Sequence, residues 1–291
     1  MSDYSRRVFF QACGGALITR SAWAEAAVSA RQSAIAEIEA ELGGTVGVFA
    51  LDTGNGRRLG HRQDERFAMC STFKWVLAAA MLASIDRGNS SLDEQIAYGS
   101  ADILDYAPIT ARHVTEGQLT VRTLCRAIIT VSDNTAANLL LRRLGGPAKL
   151  TEFARSCGDS VTRLDRFEPD LNENAPNDLR DTTTPRAMVG LMQKVLCGSV
   201  LAHASRELLI EWLEACETGR NRLRAGLPQN WRAGDKTGSG KGGAFNDVAI
   251  GFPPGKAPVL IAVYMSNSTV EASAMAAAQA GIARLVVEEF S

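Results

Sequence analysis

The chain has 291 residues and a hydrophobic content of 46%, which is enough to bury a large core in one domain or in two packed lobes. Its 31 basic and 32 acidic residues leave a formal net charge of -1. This balance excludes the strong positive electrostatic potential expected of a protein that binds nucleic acid or an anionic membrane surface through its overall charge. It favours a small neutral or anionic substrate.

The first 24 residues have the pattern of an export signal. Arg6 and Arg7 precede an apolar run over residues 8–18, and small residues at positions 22 and 24 can form a cleavage site. Paired arginines before such a run are typical of the twin-arginine export route. We predict a twin-arginine-type signal peptide over residues 1–24 and a periplasmic mature protein. No membrane span is predicted after it, because no later apolar run reaches the ~18 residues that a span needs.

The cysteine and histidine patterns indicate neither a disulfide framework nor a metal site. Five cysteines follow the predicted signal, without a Cys-x-x-Cys pair: Cys70, Cys125, Cys157, Cys197 and Cys216. We interpret most of them as small buried apolar residues. The three histidines lie far apart and match no ligand motif. We therefore predict no metal and no cofactor, and a monomer is the default.

Strand patterns lie near both ends of the mature chain. A predicted helix over Ala30–Leu42 precedes a hairpin with strands Thr45–Leu51 and Arg57–Arg62 around a turn rich in Asp, Asn and Gly. The C-terminal part of the chain is predicted to form three strands and then a helix: Arg232–Thr237, Val248–Phe252, Val259–Met265 and Val270–Glu289.

The middle of the chain has the apolar spacing of helices. Five segments show it: Phe73–Ile85, Val121–Ile129, Ala136–Leu144, Arg186–Leu196 and Glu207–Ala215. These patterns predict an α/β (α+β) fold with two lobes. An antiparallel sheet flanked by helices would form from residues 25–63 and 218–291, and an inserted all-helical lobe would span residues 64–217. The active site is expected in the cleft at the lobe junction.

Residues 163–184 show neither helical nor strand spacing and are rich in charge, Asn and Pro. A loop of this length inside a compact domain is usually functional or disordered.

Ser71 and Lys74 form an S-x-x-K motif where an apolar helix begins. Residues three apart share a helix face, so we expect the Lys74 amine to reach the Ser71 hydroxyl and activate it as a nucleophile. Alone the motif is weak, because serine and lysine are common and a capping serine followed by a solvated lysine would look the same.

Two further motifs can present polar groups to a cleft. Ser132-Asp133-Asn134 falls between two predicted helices, where a connection can expose a hydroxyl and an amide. Lys236-Thr237-Gly238 falls in a predicted strand, where alternate side chains share a face and glycine lets a ligand approach the backbone. Taken singly, a helix cap and a strand with an exposed lysine would explain them.

The three motifs together resemble, in identity and order, the S-x-x-K, S-D-N and K-T-G set of class A β-lactamases and penicillin-binding proteins. The resemblance spans nearly the whole mature chain. Glu168 and Asn172, in the sequence Glu-Pro-Asp-Leu-Asn of the long loop, are similar to the E-x-x-L-N pattern of the class A omega loop, which the penicillin-binding proteins lack. The chain therefore resembles a class A serine β-lactamase.

This resemblance implies acyl transfer followed by hydrolysis. Ser71 would attack the lactam carbonyl, with Lys74 or Glu168 as the proton acceptor, a choice that the sequence leaves open. Ser132 would pass a proton to the departing nitrogen. Glu168 and Asn172 would then position and deprotonate the water that releases the product. A cis Glu168-Pro169 bond and an ion pair between Arg166 and Asp181 at the base of the loop are implied as well.

The resemblance also implies the binding residues. The backbone N–H groups of Ser71 and Ser239 would form the oxyanion hole, and Asn134 would bind the side-chain amide of the substrate. For the substrate carboxylate it implies four residues: Lys236, Thr237, Ser239 and Arg222. Arg222 would replace an arginine that many relatives carry in the stretch 242–247, which has none here. Tyr106 resembles the aromatic residue at the mouth of the cleft, and a half-buried surface aromatic is the alternative.

Three alternatives to a β-lactamase are considered at this point. An esterase of the S-x-x-K type would keep Ser71 and Lys74 but has no reason to keep the omega loop. A penicillin-binding D-Ala-D-Ala peptidase would share the acylation residues without fast deacylation, and the loop residues Glu168 and Asn172 argue against it. A non-catalytic exported receptor for β-lactams would not need the complete set of acid and base residues.

Overall fold

The structure is a computed structural model that describes residues 28–291. The predicted signal peptide lies outside the described residues. Within residues 28–291, no helix is long and apolar enough to cross a membrane.

The main sheet joins the two ends of the described chain. In chain order the strands are β1 Thr45–Asp52, β2 Arg58–His61, β3 Phe67–Ala68, β4 Gln95–Ala97, β5 Gln118–Thr120, β6 Thr182–Thr183, β7 Arg232–Ser239, β8 Phe245–Phe252 and β9 Val259–Ser266. Five of them form an antiparallel sheet in the order β2-β1-β9-β8-β7. The last strand therefore pairs with the first, in a register that runs from Thr45 opposite Ser266 to Asp52 opposite Val259.

Both faces of this sheet are covered. The helices are α1 (28–42), α2 Phe73–Asp86, α3 Val121–Thr130, α4 Asn134–Leu144, α5 Pro147–Ser156, α6 Pro185–Leu196, α7 His203–Glu214 and α8 Ala272–Phe290. Successive residues of a strand point to opposite faces, so Val48 packs with residues of α1 and α8, whereas Phe49 packs with the core that α2 shares. The sheet thus separates two hydrophobic cores, and the predicted α/β fold is confirmed.

Helix α2 lies at the centre of the larger core. Eleven of its fourteen residues are buried, and its apolar residues surround the whole helix, as expected of a helix with neighbours on all sides. The other helices packed in this core include α3, α4, α6 and α7. Because Ser71 and Lys74 lie at the start of α2, the predicted catalytic residues are supported by a helix that is packed on all sides.

The structure adds one helix that the sequence pattern did not indicate. Gly145 and Gly146, which follow the predicted helix Ala136–Leu144, both have positive φ angles, 106° and 97°. Gly145 ends α4, but Pro147 at once begins α5, because its fixed φ suits the first helical position. Helix α7 also begins at His203, four residues before the predicted start. The division of the chain into lobes at residues 63/64 and 217/218 stays a prediction.

Candidate active site

Ser71 lies in a single 3-10 turn, Cys70–Thr72, that leads directly into α2. Strand β7 passes close beside this turn. A Cβ added to Gly238 would lie 2.7 Å from the Met69 carbonyl oxygen and 3.1 Å from the Ser71 amide nitrogen. Only glycine lets the strand approach this closely, so the K-T-G glycine places the edge of β7 against the predicted nucleophile.

Lys74 is fully buried, and its ammonium lies among oxygen acceptors. Its Nζ contacts Glu168 Oε1 at 2.9 Å, Asn134 Oδ1 at 2.5 Å and the Ser132 carbonyl oxygen at 2.8 Å. Burial lowers the pKa of Lys74, and the neighbouring Glu168 opposes that shift. The expected direct contact to Ser71 is not among the hydrogen bonds of Lys74. Instead, the Ser71 hydroxyl donates to Glu168 Oε1 at 3.4 Å, so the two side chains meet at the same carboxylate oxygen.

Ser132 lies between two lysines. Its Oγ accepts from Lys74 Nζ at 3.3 Å and from Lys236 Nζ at 3.1 Å. Its φ of 62° is unusual for a residue other than glycine, and the surrounding contacts hold it there. The side chain of Asp133 caps α4 by accepting from the Ala136 amide at 2.8 Å, and it also accepts from the Thr110 amide at 2.9 Å. The S-D-N motif thus contains a helix cap that fixes the two residues beside it.

Lys236 is fully buried near the centre of the site. Burial lowers its pKa to about 8, and the nearby Lys74 ammonium adds to this shift. The hydroxyl of the next residue, Thr237, is 2.5 Å from the Thr218 hydroxyl. Thr218, which the sequence did not single out, therefore fixes the rotamer of a predicted binding residue.

The long loop brings Glu168 and Asn172 into the same cluster. Glu168 is 4% exposed, and its Oε2 accepts from Asn172 Nδ2 at 2.5 Å. The Glu168-Pro169 bond is cis, as expected. The expected ion pair at the base of the loop is also confirmed, with Arg166 Nε 2.5 Å from Asp181 Oδ2.

Asn138 on α4 holds the backbone of Glu168 and was missed in the sequence. Its Nδ2 donates to the Glu168 carbonyl oxygen at 2.9 Å, and its Oδ1 accepts from the Glu168 amide at 2.9 Å. Asn138 lies four residues after Asn134 and hence on the same face of the helix. The four-residue spacing from Asn134 could have indicated that Asn138 faces the site. It could not have indicated that Asn138 binds the backbone of Glu168.

Replacing Asn138 with alanine is expected to loosen the loop and to slow the step that depends on Glu168. Losing two buried hydrogen bonds should lower the free energy of unfolding by about 2–4 kcal/mol. A displacement of Glu168 by about 1 Å should slow hydrolysis of the acyl-enzyme by roughly 100-fold. Urea unfolding and single-turnover kinetics measure the two effects, and Asn89→Ala, at an exposed asparagine, is the control. An unchanged rate of acyl-enzyme hydrolysis would show that the loop positions Glu168 without the two hydrogen bonds from Asn138.

Arg222 and Ser239 lie together beyond the end of the K-T-G motif. Arg222 Nη2 donates to Ser239 Oγ at 3.0 Å, and its Nη1 donates to the Asn246 carbonyl oxygen at 2.9 Å. Tyr106 is 51% exposed, and its carbonyl oxygen accepts from the Asn134 amide at 3.0 Å, which places it at the edge of the site. Direct contacts thus link Asn172, Glu168, Ser71, Lys74, Ser132, Asn134 and Lys236, with the remaining predicted residues beside them.

The cysteines of the described chain are free, and three of them are buried: Cys70, Cys125 and Cys216. Cys157 is partly buried, whereas Cys197 is exposed and does not fit the interpretation of the cysteines as core residues. Within residues 28–291, no group of three or more His, Cys, Asp or Glu side chains could hold a metal ion.

The fold and the clustered S-x-x-K, S-D-N and K-T-G residues match the arrangement expected from the resemblance, and comparisons with known proteins show the family. A sequence model of the β-lactamase enzyme family matches residues 30–290. The chain therefore belongs to the β-lactamase family, and its solved relatives place it in class A.

Two relatives and one solved structure illustrate the similarity. The chain is 46% identical to β-lactamase L2 of Stenotrophomonas maltophilia over 97% of both chains, and 44% identical to the carbapenem-hydrolysing β-lactamase KPC of Klebsiella oxytoca over 87% of this chain and 86% of that one. The reconstructed class A β-lactamase of the last common ancestor of Gram-negative bacteria is 57% identical, with a TM-score of 0.88. The match covers 90% of this chain and 100% of the reconstructed protein.

Proposed function

We propose that the protein is a serine β-lactamase that opens the lactam amide of penicillins and cephalosporins through an acyl-enzyme on Ser71, which water activated at Glu168 then hydrolyses. The contact that carries this proposal is Glu168 Oε1, which lies 3.4 Å from the Ser71 hydroxyl and 2.9 Å from the Lys74 ammonium. A single carboxylate is therefore within reach of both the Ser71 hydroxyl and the Lys74 ammonium.

In acylation, Ser71 Oγ forms the ester bond to the lactam carbonyl carbon, and its proton passes to the Glu168–Lys74 pair. Because the two groups share a short contact, they act as one coupled proton acceptor. The backbone N–H groups of Ser71 and Ser239 hold the oxyanion. The C–N bond of the lactam then breaks, and the nitrogen takes a proton from the Ser132 hydroxyl. Lys74 and Lys236 both donate to that hydroxyl and can resupply the proton.

In deacylation, Glu168 accepts a proton from water while the water oxygen attacks the ester carbon, and the Ser71 oxygen leaves and regains its proton. Asn172 supports this role in two ways. Its Nδ2 fixes the Glu168 carboxylate, and its Oδ1 is buried without a hydrogen-bond partner among the described residues. A buried acceptor beside the general base is suited to orient a water molecule.

The substrate is held at two places. The Asn134 Oδ1 atom is occupied by Lys74, which leaves the Nδ2 donors to bind the side-chain carbonyl of the substrate. The substrate carboxylate binds the cationic side of the site, formed by Lys236, Thr237, Ser239 and Arg222. Tyr106 forms a wall at the mouth of the cleft.

Hydrolysis of a chromogenic cephalosporin by the purified mature protein tests the proposal. We expect many turnovers per enzyme and a product whose mass equals that of the substrate plus one water. A single equivalent of product with a lasting adduct would instead identify a penicillin-binding peptidase, and binding without any adduct would identify a receptor.

The kcat/KM for a carboxylate-bearing penicillin is expected to fall above about pH 8, because the Lys236 ammonium then loses its charge. The lowered pKa of about 8 means that the ammonium is charged below this pH and neutral above it, so KM for a carboxylate-bearing penicillin should rise on the alkaline side. Profiles of kcat/KM against pH for the penicillin and for its methyl ester test this expectation. An equal alkaline fall for both substrates would show that the titrating group does not act through the substrate carboxylate, and Lys236→Arg should move the fall to higher pH.

Export and oligomeric state complete the proposal. We propose that residues 1–24 direct the chain to the periplasm by the twin-arginine route and that the mature protein is monomeric. N-terminal sequencing of periplasmic protein should begin near residue 25, substitution of Arg6 and Arg7 by lysine should block export, and light scattering should give the mass of one chain.

A further inference from the structure

Arg222 is a buried cation without a carboxylate partner. It is 9% exposed, and none of the ion pairs among residues 28–291 includes it. Its guanidinium donates to the carbonyl oxygen of Asn246 at 2.9 Å and to Ser239 Oγ at 3.0 Å, and it makes a longer contact of 3.4 Å with the Gly238 carbonyl oxygen. These acceptors are neutral, so the charge stays available for an anion.

The neighbouring arginine shows the opposite arrangement. Arg224 Nε lies 2.5 Å from Asp235 Oδ1, so that guanidinium is neutralised by a buried carboxylate. Asp247, the other buried acid whose charge acts on Arg222, accepts a hydrogen bond from the Leu223 amide at 3.1 Å. Burial and the charge of Asp235 raise the pKa of Asp247, which favours its neutral form. Arg224 is therefore in direct contact with a carboxylate, whereas Arg222 is not.

The guanidinium of Arg222 stacks on the ring of Phe245 instead of pairing with a carboxylate. The guanidinium carbon of Arg222 lies 3.6 Å from the centre of the Phe245 ring, which is stacking at van der Waals contact. In the other arginine–phenylalanine pairs of the described chain, the corresponding distance is 4.9 to 5.8 Å. An aromatic face attracts a cation without neutralising it, and the attraction is strongest where water is excluded.

The ring is itself held firmly. Phe245 is 7% exposed and belongs to the core between the sheet and α8, and its carbonyl oxygen accepts from the fully buried Gln279 at 3.0 Å. Phe245 of β8 pairs directly with Ser239 of β7. Opposite residues of an antiparallel pair point to the same face, so one cross-strand pair contacts the guanidinium twice, through the ring face and through the Ser239 hydroxyl.

We infer that Phe245 is the positioning residue of the carboxylate subsite, because its ring holds the Arg222 guanidinium in place and leaves its charge free for the substrate carboxylate. This inference rests on the proposed β-lactamase function and adds a specificity determinant that does not touch the substrate. It makes the preference for an acid over its ester depend on the Phe245–Arg222 pair in addition to Lys236.

The test compares a penicillin with its methyl ester. The quantity measured for each is the second-order rate constant of acylation, by rapid quenching and mass spectrometry. In Phe245→Leu, which keeps an apolar side chain and loses the ring, the acid-to-ester ratio should fall by roughly tenfold, through weaker binding of the acid. Phe245→Tyr should retain the ratio. In an Arg222→Ala background, Phe245→Leu should cause no further fall, because the ring acts only through the guanidinium.

Phe252→Leu is the matched control, since Phe252 lies on the same strand, stacks against Arg232 at 4.9 Å and is remote from the predicted binding residues. It should leave the ratio at the wild-type value. Equal losses for acid and ester in Phe245→Leu, or a further fall in the Arg222→Ala background, would overturn the inference and reduce Phe245 to a packing residue. Absence of acylation by either substrate in the wild-type protein would overturn the proposed function, and the inference with it.

Discussion

The Glu168→Ala variant is expected to release one equivalent of product from a chromogenic cephalosporin in a burst and then to turn over about 1,000-fold more slowly than the wild-type protein, a loss in the range typical of a general base. The nucleophile and the oxyanion donors remain in this variant, so the ester can form. What is lost is the carboxylate that Asn172 contacts, on a residue whose backbone Asn138 holds in place.

Glu168 also contacts Lys74 at 2.9 Å, so its removal changes the environment of a second reacting group. Glu168→Gln separates the two effects, because the amide keeps the size of the side chain and can still pair with Asn172, but it cannot accept a proton from water. Both variants should accumulate an acyl-enzyme that mass spectrometry detects on Ser71.

Glu173→Ala is the control for a change in the same loop. Glu173 is partly exposed and pairs with the exposed Lys241 at 2.5 Å, so its loss should leave steady turnover close to the wild-type rate. Steady turnover at the wild-type rate in Glu168→Ala would remove Glu168 from the hydrolytic step and return the long loop to a structural role.

The sequence predicted the parts of the site that depend on short spacings. Ser71 and Lys74 lie within one turn at the start of a helix, and Lys236 and Thr237 are neighbours on one strand, so local geometry already places the members of each pair in the same part of the site. The longer helices and the strands of the main sheet were predicted for the same reason, because the spacing of apolar residues along one segment is also local.

The sequence did not predict the contacts that hold these parts in place. Asn138 reaches Glu168 across 30 positions, and Thr218 reaches Thr237 across 19, and neither pairing follows from a local pattern. The expected contact between Lys74 and Ser71 was wrong for a related reason. Helical spacing gives the direction of the lysine side chain, but the choice among Glu168, Asn134 and Ser132 depends on which acceptors other segments bring to the buried ammonium.

The Ser71→Ala variant should form no covalent adduct with any β-lactam, and kcat/KM should fall by about 10⁶-fold, the size of the loss when the nucleophile of a serine hydrolase is removed. The change removes only the Oγ atom, whose contact with Glu168 is long, at 3.4 Å, so the fold and the substrate-binding residues should stay intact. Binding of an intact penicillin should therefore remain measurable by calorimetry while turnover is lost.

Ser160→Ala, at an exposed serine, is the matched control and should form the adduct at the wild-type rate. Peptide mapping of the wild-type adduct should place the acyl group on Ser71, because the backbone N–H groups of Ser71 and Ser239 can stabilise the oxyanion only at the carbonyl that this side chain attacks. An adduct in Ser71→Ala, mapped to Ser132 or to a lysine, would mean that another group of the Lys74–Ser132–Lys236 cluster is nucleophilic enough to open the ring. Glu168 would then have to act on an ester or amide at that second position, and the close approach of β7 to Ser71 at Gly238 would play no part in catalysis.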